Sequence, residues 1–411
     1  MSALPDTLTE QAQRTGQIAR MSAKSKQAFT LIIDGYEVPV LSGRVSRSID
    51  TVVDGWTAEI AWVPGQDKRL DPLVAPFAYP KAQVYLGQTL VNTGRLYDVT
   101  NNVTATGITK TLEGASYTAD LVDSMIDPGV GPSGECNNLS VWNICHALMD
   151  PLGLGVKTDL NDVVVATPNI AGGKVRVASP FQIVDIGMTE TYAELFTRLA
   201  FQRGMLVTND EYGNLFLTNA HTTGVPVATL GEGNVQDYLK AQSASGNVRS
   251  PSWAAKFDGR KRFYKYTVYC WSGMGDGYES TAQDNYMPIN SQAVDTSIPK
   301  TRRTHVLAGD NEIGGAQISA QYKRSMQLAE ALTIPFPVTT WYDGHGKLWT
   351  PNTLVRVQAP SIHIPNGFTF LIRQVEYTHE GSGQTATLSI LPPQVYTGEA
   401  IKEPWAKGGG V

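Results

Sequence analysis

The chain is poor in cysteine, in charge and in long apolar runs. Three cysteines, Cys136, Cys145 and Cys270, stand in 411 residues, too few for the disulfide framework of a small secreted domain. Cys136 and Cys145 are near enough in sequence to pair, but free buried thiols in a reducing compartment are the simpler expectation. No run of 18 apolar residues occurs, so no membrane-spanning helix is expected. Met1 to Gln27 is polar and holds no apolar run of signal-peptide length. Charged residues make up only 17% and the net charge is −5, which leaves no basic excess to hold a nucleic-acid backbone.

What the chain has instead is glycine, proline and tyrosine (39, 23 and 17 residues), the composition of ordered strands and turns rather than of disorder. At about 150 residues per domain the length suggests two to four packed units. Residues 1–27 read as a flexible N-terminal arm. Phe29 to Ile33, the turn Asp34-Gly35 and the run Glu37 to Leu41 predict a hairpin. Trp56, Ala58, Ile60 and Trp62 alternate with polar or small residues, as on a half-buried strand. Ala82 to Leu86, Leu96 to Val99 and Ile108 to Leu112 continue the series, and 28–114 is expected to form a small, nearly closed β-barrel.

The texture then changes, and 115–222 reads as α+β. Leu139 to Met149 has helical spacing, ended by Pro151 and Gly153. Thr191 and Glu194 fit a capping box, with Gly204 closing that helix. Residues 223–396 read as a second barrel with an α+β insertion at about 246–334. The insertion carries a strand (Arg262 to Trp271), a glycine-rich loop (Gly273 to Gly277) and a helix (Ala316 to Leu332) stopped by Pro335 and Pro337. Strands follow at Val338 to Tyr342, Leu354 to Gln358, Phe368 to Tyr377 and Thr385 to Leu391, and 397–411 reads as a flexible tail. An internal echo links the two ends. At an offset of 276, Leu96, Val99, Gly107, Thr109, Thr111 and Leu112 match Ile372, Val375, Gly383, Thr385, Thr387 and Leu388, consistent with duplicated barrels.

No chemistry stands out, and no catalytic, cofactor-binding or metal-binding residue is assigned. The six histidines form no i, i+4 pair, and Cys145-His146 lacks the second cysteine of a haem or zinc motif. Asp343-Gly344-His345-Gly346 is ordinary turn chemistry. Gly131-Pro132-Ser133-Gly134 lacks the Lys-Ser/Thr of a phosphate loop. Lys300-Thr301-Arg302-Arg303 is a solvated basic cluster or, more sharply, an intersubunit ion-pair site. Trp56, Trp62, Trp271, Trp341 and Trp349 fall on or beside strands and are expected in the core rather than as a sugar-binding row.

The order of the pieces resembles a family. Leu112-Glu113-Gly114-Ala115-Ser116 leading into Asp120-Leu121-Val122-Asp123 resembles the Gly-Arg-Ser … Asp-Leu-Val-Asp segment of phage Mu-type baseplate hub proteins (prophage tail P-like, related to the T-even hub), with Ala115 in place of the usual Arg. Glu190-Thr191 … Gly204-Met205-Leu206 … Gly213-Asn214-Leu215 is similar to the next block. Arg262 to Val268 with Pro299 to Arg303, and Gly346 to Asn352 with Val355-Arg356-Val357 and Phe370 to Val375, are similar to the last two.

The resemblance implies a mainly β fold with α+β insertions and two related tube-like barrels per chain, arranged as a pseudo-hexameric ring in a homotrimer. It implies a structural, non-enzymatic hub of a contractile tail, joining the six-fold tube to the three-fold spike around a channel that DNA crosses only in transit. Expected partners are the central spike, the tail tube or tube-initiator, wedge proteins and the tape-measure protein, with no cofactor and no stable membrane association. The expected location is the virion baseplate, assembled in the host cytoplasm. The alternative is a β-rich carbohydrate-binding or cell-wall-degrading tail-associated protein.

Overall fold

The first ninety described residues build seven strands, several with period-two burial. β1 (Phe29–Ile33) turns through Asp34 and Gly35, at φ 44° and 78°, into β2 (Tyr36–Val38). Two successive left-handed residues match the twist of a two-residue hairpin. β3 (Ser42–Ser48), β4 (Gly55–Ala61), the short helix α1 (Leu70–Leu73), β5 (Lys81–Leu86), β6 (Thr89–Thr104) and β7 (Gly107–Ser116) follow. On β4, Trp56, Ala58 and Ile60 point inward and are buried. Gly114 of β7 lies under the Trp56 indole. A Cβ there would collide with that ring and with the Arg95 carbonyl, so the close approach requires glycine. This computed structural model describes residues 28–105, 107–127, 136, 138–160, 180, 181, 184, 186, 187, 189–232, 247–250, 254–270, 289–307, 313–381 and 383–396. The expected arm (1–27), the tail (397–411), the Gly131–Gly134 and Gly273–Gly277 loops and Trp271 lie outside the described residues.

The middle of the chain has its own core. α2 (Asp120–Asp123), α3 (Val141–Met149) and α4 (Tyr192–Gln202) pack with a small sheet of β8 (Val156–Thr158), β9 (Leu206–Asn209) and β10 (Leu215–Thr218), ordered β8-β10-β9. Ile144, Leu148, Leu195, Phe196 and Leu215 form its centre, all fully buried. The Ser140 hydroxyl caps α3, and both halves of the Thr191–Glu194 capping box are made on α4. Gly204 follows α4 at φ 67°.

β11 (Thr229–Glu232) and β12 (Asn247–Ser250) join the main sheet, and β13 (Lys256–Phe257) pairs with β17 (Leu332–Thr333). β14 (Lys265–Cys270), β15 (Ile289–Val294) and β16 (Arg303–Leu307) make a separate three-stranded sheet ahead of α5 (Ile313–Ala331). β18 (Pro335–Val338), β19 (Leu354–Ala359), β20 (Ile364–Glu380) and β21 (Gly383–Leu391) complete the fold.

The internal echo is a structural repeat. β6 pairs with β7 from Arg95↔Ala115 to Thr104↔Gly107, and β20 with β21 from Leu371↔Leu391 to Glu380↔Gly383, the same register displaced by 276 residues. Each hairpin carries one bulge, at Tyr97 in the first and Arg373 in the second, again 276 apart. Each ends in a 3₁₀ turn, beginning at Tyr117 and at Pro393. The flanks agree as well. β4 and β5 border the first hairpin and β18 and β19 the second, with register shifts just after Val84 and Val357. A bulge displaces side chains and is kept for a reason, so coincident bulges mark duplication more firmly than sequence matches do.

The fold is mainly β with helices, but neither repeat is a closed barrel among the described residues. β3 pairs with β4 on one edge and with β20 on the other. That strand fuses the repeats into one 13-stranded sheet, and a single core holds Trp56 and Leu86 of one repeat together with Phe336 and Phe370 of the other. Two further expectations are corrected. Pro335 and Pro337 do not merely stop the preceding helix but lie within β18, which pairs through them with β21. The strand expected at Val338 to Tyr342 is a hairpin instead, closed by a Tyr342↔Leu348 bridge.

Candidate functional site

The segment between β3 and β4 is the meeting point of both repeats and the middle unit, and it is polar. Asp54 is 3% exposed. Its Oδ1 accepts from the Ser48 backbone N–H (3.0 Å), and Arg47 Nε lies 3.5 Å from Oδ2. From β9, Asn209 donates through Nδ2 to Asp54 Oδ2 (2.8 Å), while its Oδ1 accepts from the Ser116 hydroxyl (2.5 Å); that amide orientation alone satisfies both ends. Asn92 Nδ2 donates to the Asp54 carbonyl (3.1 Å), and the Thr118 hydroxyl donates to the Val52 carbonyl (2.6 Å). Thr208 Oγ1 donates to the Ser48 carbonyl (2.7 Å). Burial pushes the Asp54 carboxyl up to about 7 against the opposing pull of Arg47 and the Ser48 amide. Desolvation outweighs one guanidinium at 3.5 Å.

Four residues earlier, Asp50 is gripped by the second repeat. The bulged Arg373 places Nε 2.6 Å from Asp50 Oδ2, and the Tyr396 hydroxyl donates to the same oxygen (2.9 Å). The Ser48 hydroxyl donates to Asp50 Oδ1 (2.7 Å), and the Ile49 N–H donates to the Arg373 carbonyl (3.0 Å). Leu328, Leu371, Val395 and Tyr396 pack with Ile49 beneath this pair. Burial and the Asp50 charge hold the Tyr396 phenol well above its ordinary value. This chemistry is a clamp: the two carboxylates are spent on groups of the neighbouring units.

The residues weighed from sequence sit elsewhere. Cys136 and Cys145 are free and fully buried, and burial raises both thiols. His146 Nδ1 lies 3.1 Å from Asp150 Oδ1, with its ring against Trp142. Asp343 spends its carboxylate on the N–H groups of His345 and Lys347 (2.8 and 2.9 Å), a turn. Arg302 donates to the Arg262 and Arg260 carbonyls, and Arg303 to the Lys300 carbonyl, so these contacts of the basic run are local. Trp56, Trp341 and Trp349 are core residues, and Trp62 Nε1 donates to Asp71 beneath the Lys110 ammonium. An apolar cleft of about 310 Å³ opens between Phe257, Leu328 and His363. Among the described residues no group of three or more His, Cys, Asp or Glu is placed to hold a metal. Sequence reasoning missed Asp50, Asp54 and Asn209. The one signal available was the offset, which makes Arg373 and Tyr396 the counterparts of Tyr97 and Asp120.

Comparison with known proteins bears out the resemblance. Residues 314–399 match the family model of the Mu phage baseplate assembly protein GpP, fourth domain. The chain is similar to baseplate hub protein gp44 of Escherichia phage Mu, 24% identical over 351 residues, which span 85% of this chain and 83% of that one. Its fold is similar to the 43 kDa tail protein of prophage MuSo2 from Shewanella oneidensis, with a TM-score of 0.69 and 24% identity over 89% of this chain and 98% of that one. It is equally similar to the tail protein of Neisseria meningitidis MC58, with a TM-score of 0.69 and 17% identity over 91% and 98%.

Proposed function

We infer that this chain, similar to the Mu hub, is a structural hub of a phage-tail baseplate, a homotrimer that adapts a six-fold tail tube to a three-fold central spike. The repeat carries the reading. Two copies of one strand unit per chain give three chains six equivalent units, while the trimer keeps three-fold symmetry toward a spike. Fusion through β3 makes each chain a rigid third of such a ring. In this reading 28–114 and 223–396 form the ring, and 115–222 and the insertion at about 246–334 lie outside or below it. The weak net negative charge of the chain suits a channel through which DNA slides without being held.

The hub works by surfaces and carries out no reaction. Its neighbours are the spike, the tube or its initiator, wedge proteins and the tape-measure protein of a contractile tail, within a virion baseplate assembled in the host cytoplasm. The test is the native mass of the purified chain, alone and with candidate spike protein. Three chains per particle is the expected result. A monomer in both conditions overturns it, and peptidoglycan cleavage in a zymogram would favour the cell-wall enzyme instead.

A further inference from the structure

The repeat makes the two hairpins comparable edge by edge, and they differ at one edge. In the second repeat, Gln374 to His379 of β20 pair with β21 on one side and with β3 on the other. Their counterparts by the offset of 276, Asp98 to Val103 of β6, pair with β7 alone among the described strands. The side chains follow suit. Val375 and Tyr377 are buried, while Val99 is half-buried and Asn101 exposed, and Val103 is 73% exposed.

Beyond the bulge at Tyr97 and the single charge of Asp98, this open edge carries few of the devices that blunt a free strand. Asp98-Val99-Thr100-Asn101-Asn102-Val103 has no proline, no lysine and three β-branched residues, the composition of a strand that accepts a neighbour. By contrast β18, the strand at the far end of the second repeat, carries Pro335 and Pro337, which is how sheets guard an edge against strand addition. The neighbouring grip is repeated and unfilled too. Arg373 and Tyr396 close on Asp50, whereas of their counterparts Tyr97 donates to Asp120 (2.9 Å) and rests edge-on against Tyr79, and Asp120 faces Arg95 (3.7 Å), with Arg95 and Asp120 nearly half exposed.

We propose that Asp98–Val103 of β6 is the ring-closing edge, receiving a strand from the second repeat of another copy of this chain, with Tyr97 and Asp120 as the adjoining polar grip. The occupant follows from the duplication. Within one chain the equivalent edge is covered by the repeat next to it, so the next repeat around the ring belongs to a second copy. The contact is heterologous, and closure by rotation then limits it to a ring.

The proposal rests on the hub reading and is tested on the full chain in two ways. Hydrogen exchange, compared between oligomer and dilute monomer, is expected to show that the amides within 98–103 that face away from β7 gain protection in the oligomer. Asn101→Pro, which removes an edge amide, is expected to raise the concentration for half-assembly by about tenfold or more, as the loss of one or two interchain hydrogen bonds implies. If the wild-type chain assembles while 98–103 exchange at the monomer rate, the edge assignment falls and the hub reading stands. Assembly of the folded Asn101→Pro chain at the wild-type concentration overturns it equally. A wild-type chain that stays monomeric at every concentration overturns both. Exchange on the wild-type chain decides the matter should the proline variant misfold.

Discussion

Replacing Asp54 by asparagine removes the titration of a buried carboxyl without changing its size. The folded-state value of Asp54 is about 7, against 3.8 for the free side chain. A carboxyl raised on folding favours the native state most when both states are protonated, below 3.8. That stability is lost as pH rises from there to about 7, because the unfolded chain ionises first. At about 1.4 kcal/mol per unit, the full loss is about 4 kcal/mol, and the part falling between pH 5 and pH 8 is about 2.5 kcal/mol. Urea unfolding of wild type and Asp54→Asn at both pH values, at one protein concentration, isolates this share, since every other titration is common to the two. The absolute stability of the variant is not the readout. Its new amide faces the Asn209 Nδ2, and that mismatch lowers stability at all pH values alike. Wild type is expected to lose about 2.5 kcal/mol more than the variant on going from pH 5 to pH 8. Equal losses would refute the argument that desolvation of Asp54 outweighs its pairing with Arg47.

Tyr396→Phe removes the hydroxyl from Asp50 Oδ2, and the loss of a bond to a charged acceptor is expected to lower the unfolding free energy by about 2 kcal/mol in urea titrations. Gly114→Val puts side-chain atoms into the Trp56 ring and the Arg95 carbonyl, with an expected loss of about 3 kcal/mol and a changed near-ultraviolet tryptophan signal. Cys136 and Cys145, buried with raised thiols, are expected to react with a thiol reagent at pH 8 only at the rate of unfolding, as read by peptide mapping; labelling of either in the native chain would contradict their burial.

Much of the fold was legible because burial there is one-sided. The alternation at Trp56, Ala58 and Ile60, the helical spacing from Ile144 to Leu148 and the Thr191–Glu194 cap each follow from local rules, and each appears. β3 was not legible. Its sequence, Ser-Gly-Arg-Val-Ser-Arg-Ser, offers only Val45 as a sizeable apolar residue, so neither a strand nor a core face announces itself. Its order comes from pairing on both edges, with β4 and β20, and the second partner lies more than 320 residues away. The clamp is hidden for a related reason. Asp50 and Asp54 read as turn residues with the local partners Ser48 and Arg47, and the return of Arg373, Tyr396 and Asn209 from distant segments completes the clamp.

That division has a physical logic. Strands whose faces are buried by their own repeat must carry an apolar pattern, whatever the assembly around them. A strand that joins repeats is held by backbone pairing and by charge-assisted contacts at its ends, so its side chains are free to be polar. Polar joints specify geometry more strictly than apolar ones, because a misplaced buried charge such as Asp54 is costly where a misplaced leucine is tolerated. In the proposed ring, the angle between the two repeats is what closure must fix. The chain accordingly sets its buried carboxylates at that hinge, in the segment from Ser48 to Asp54, rather than in either repeat's core.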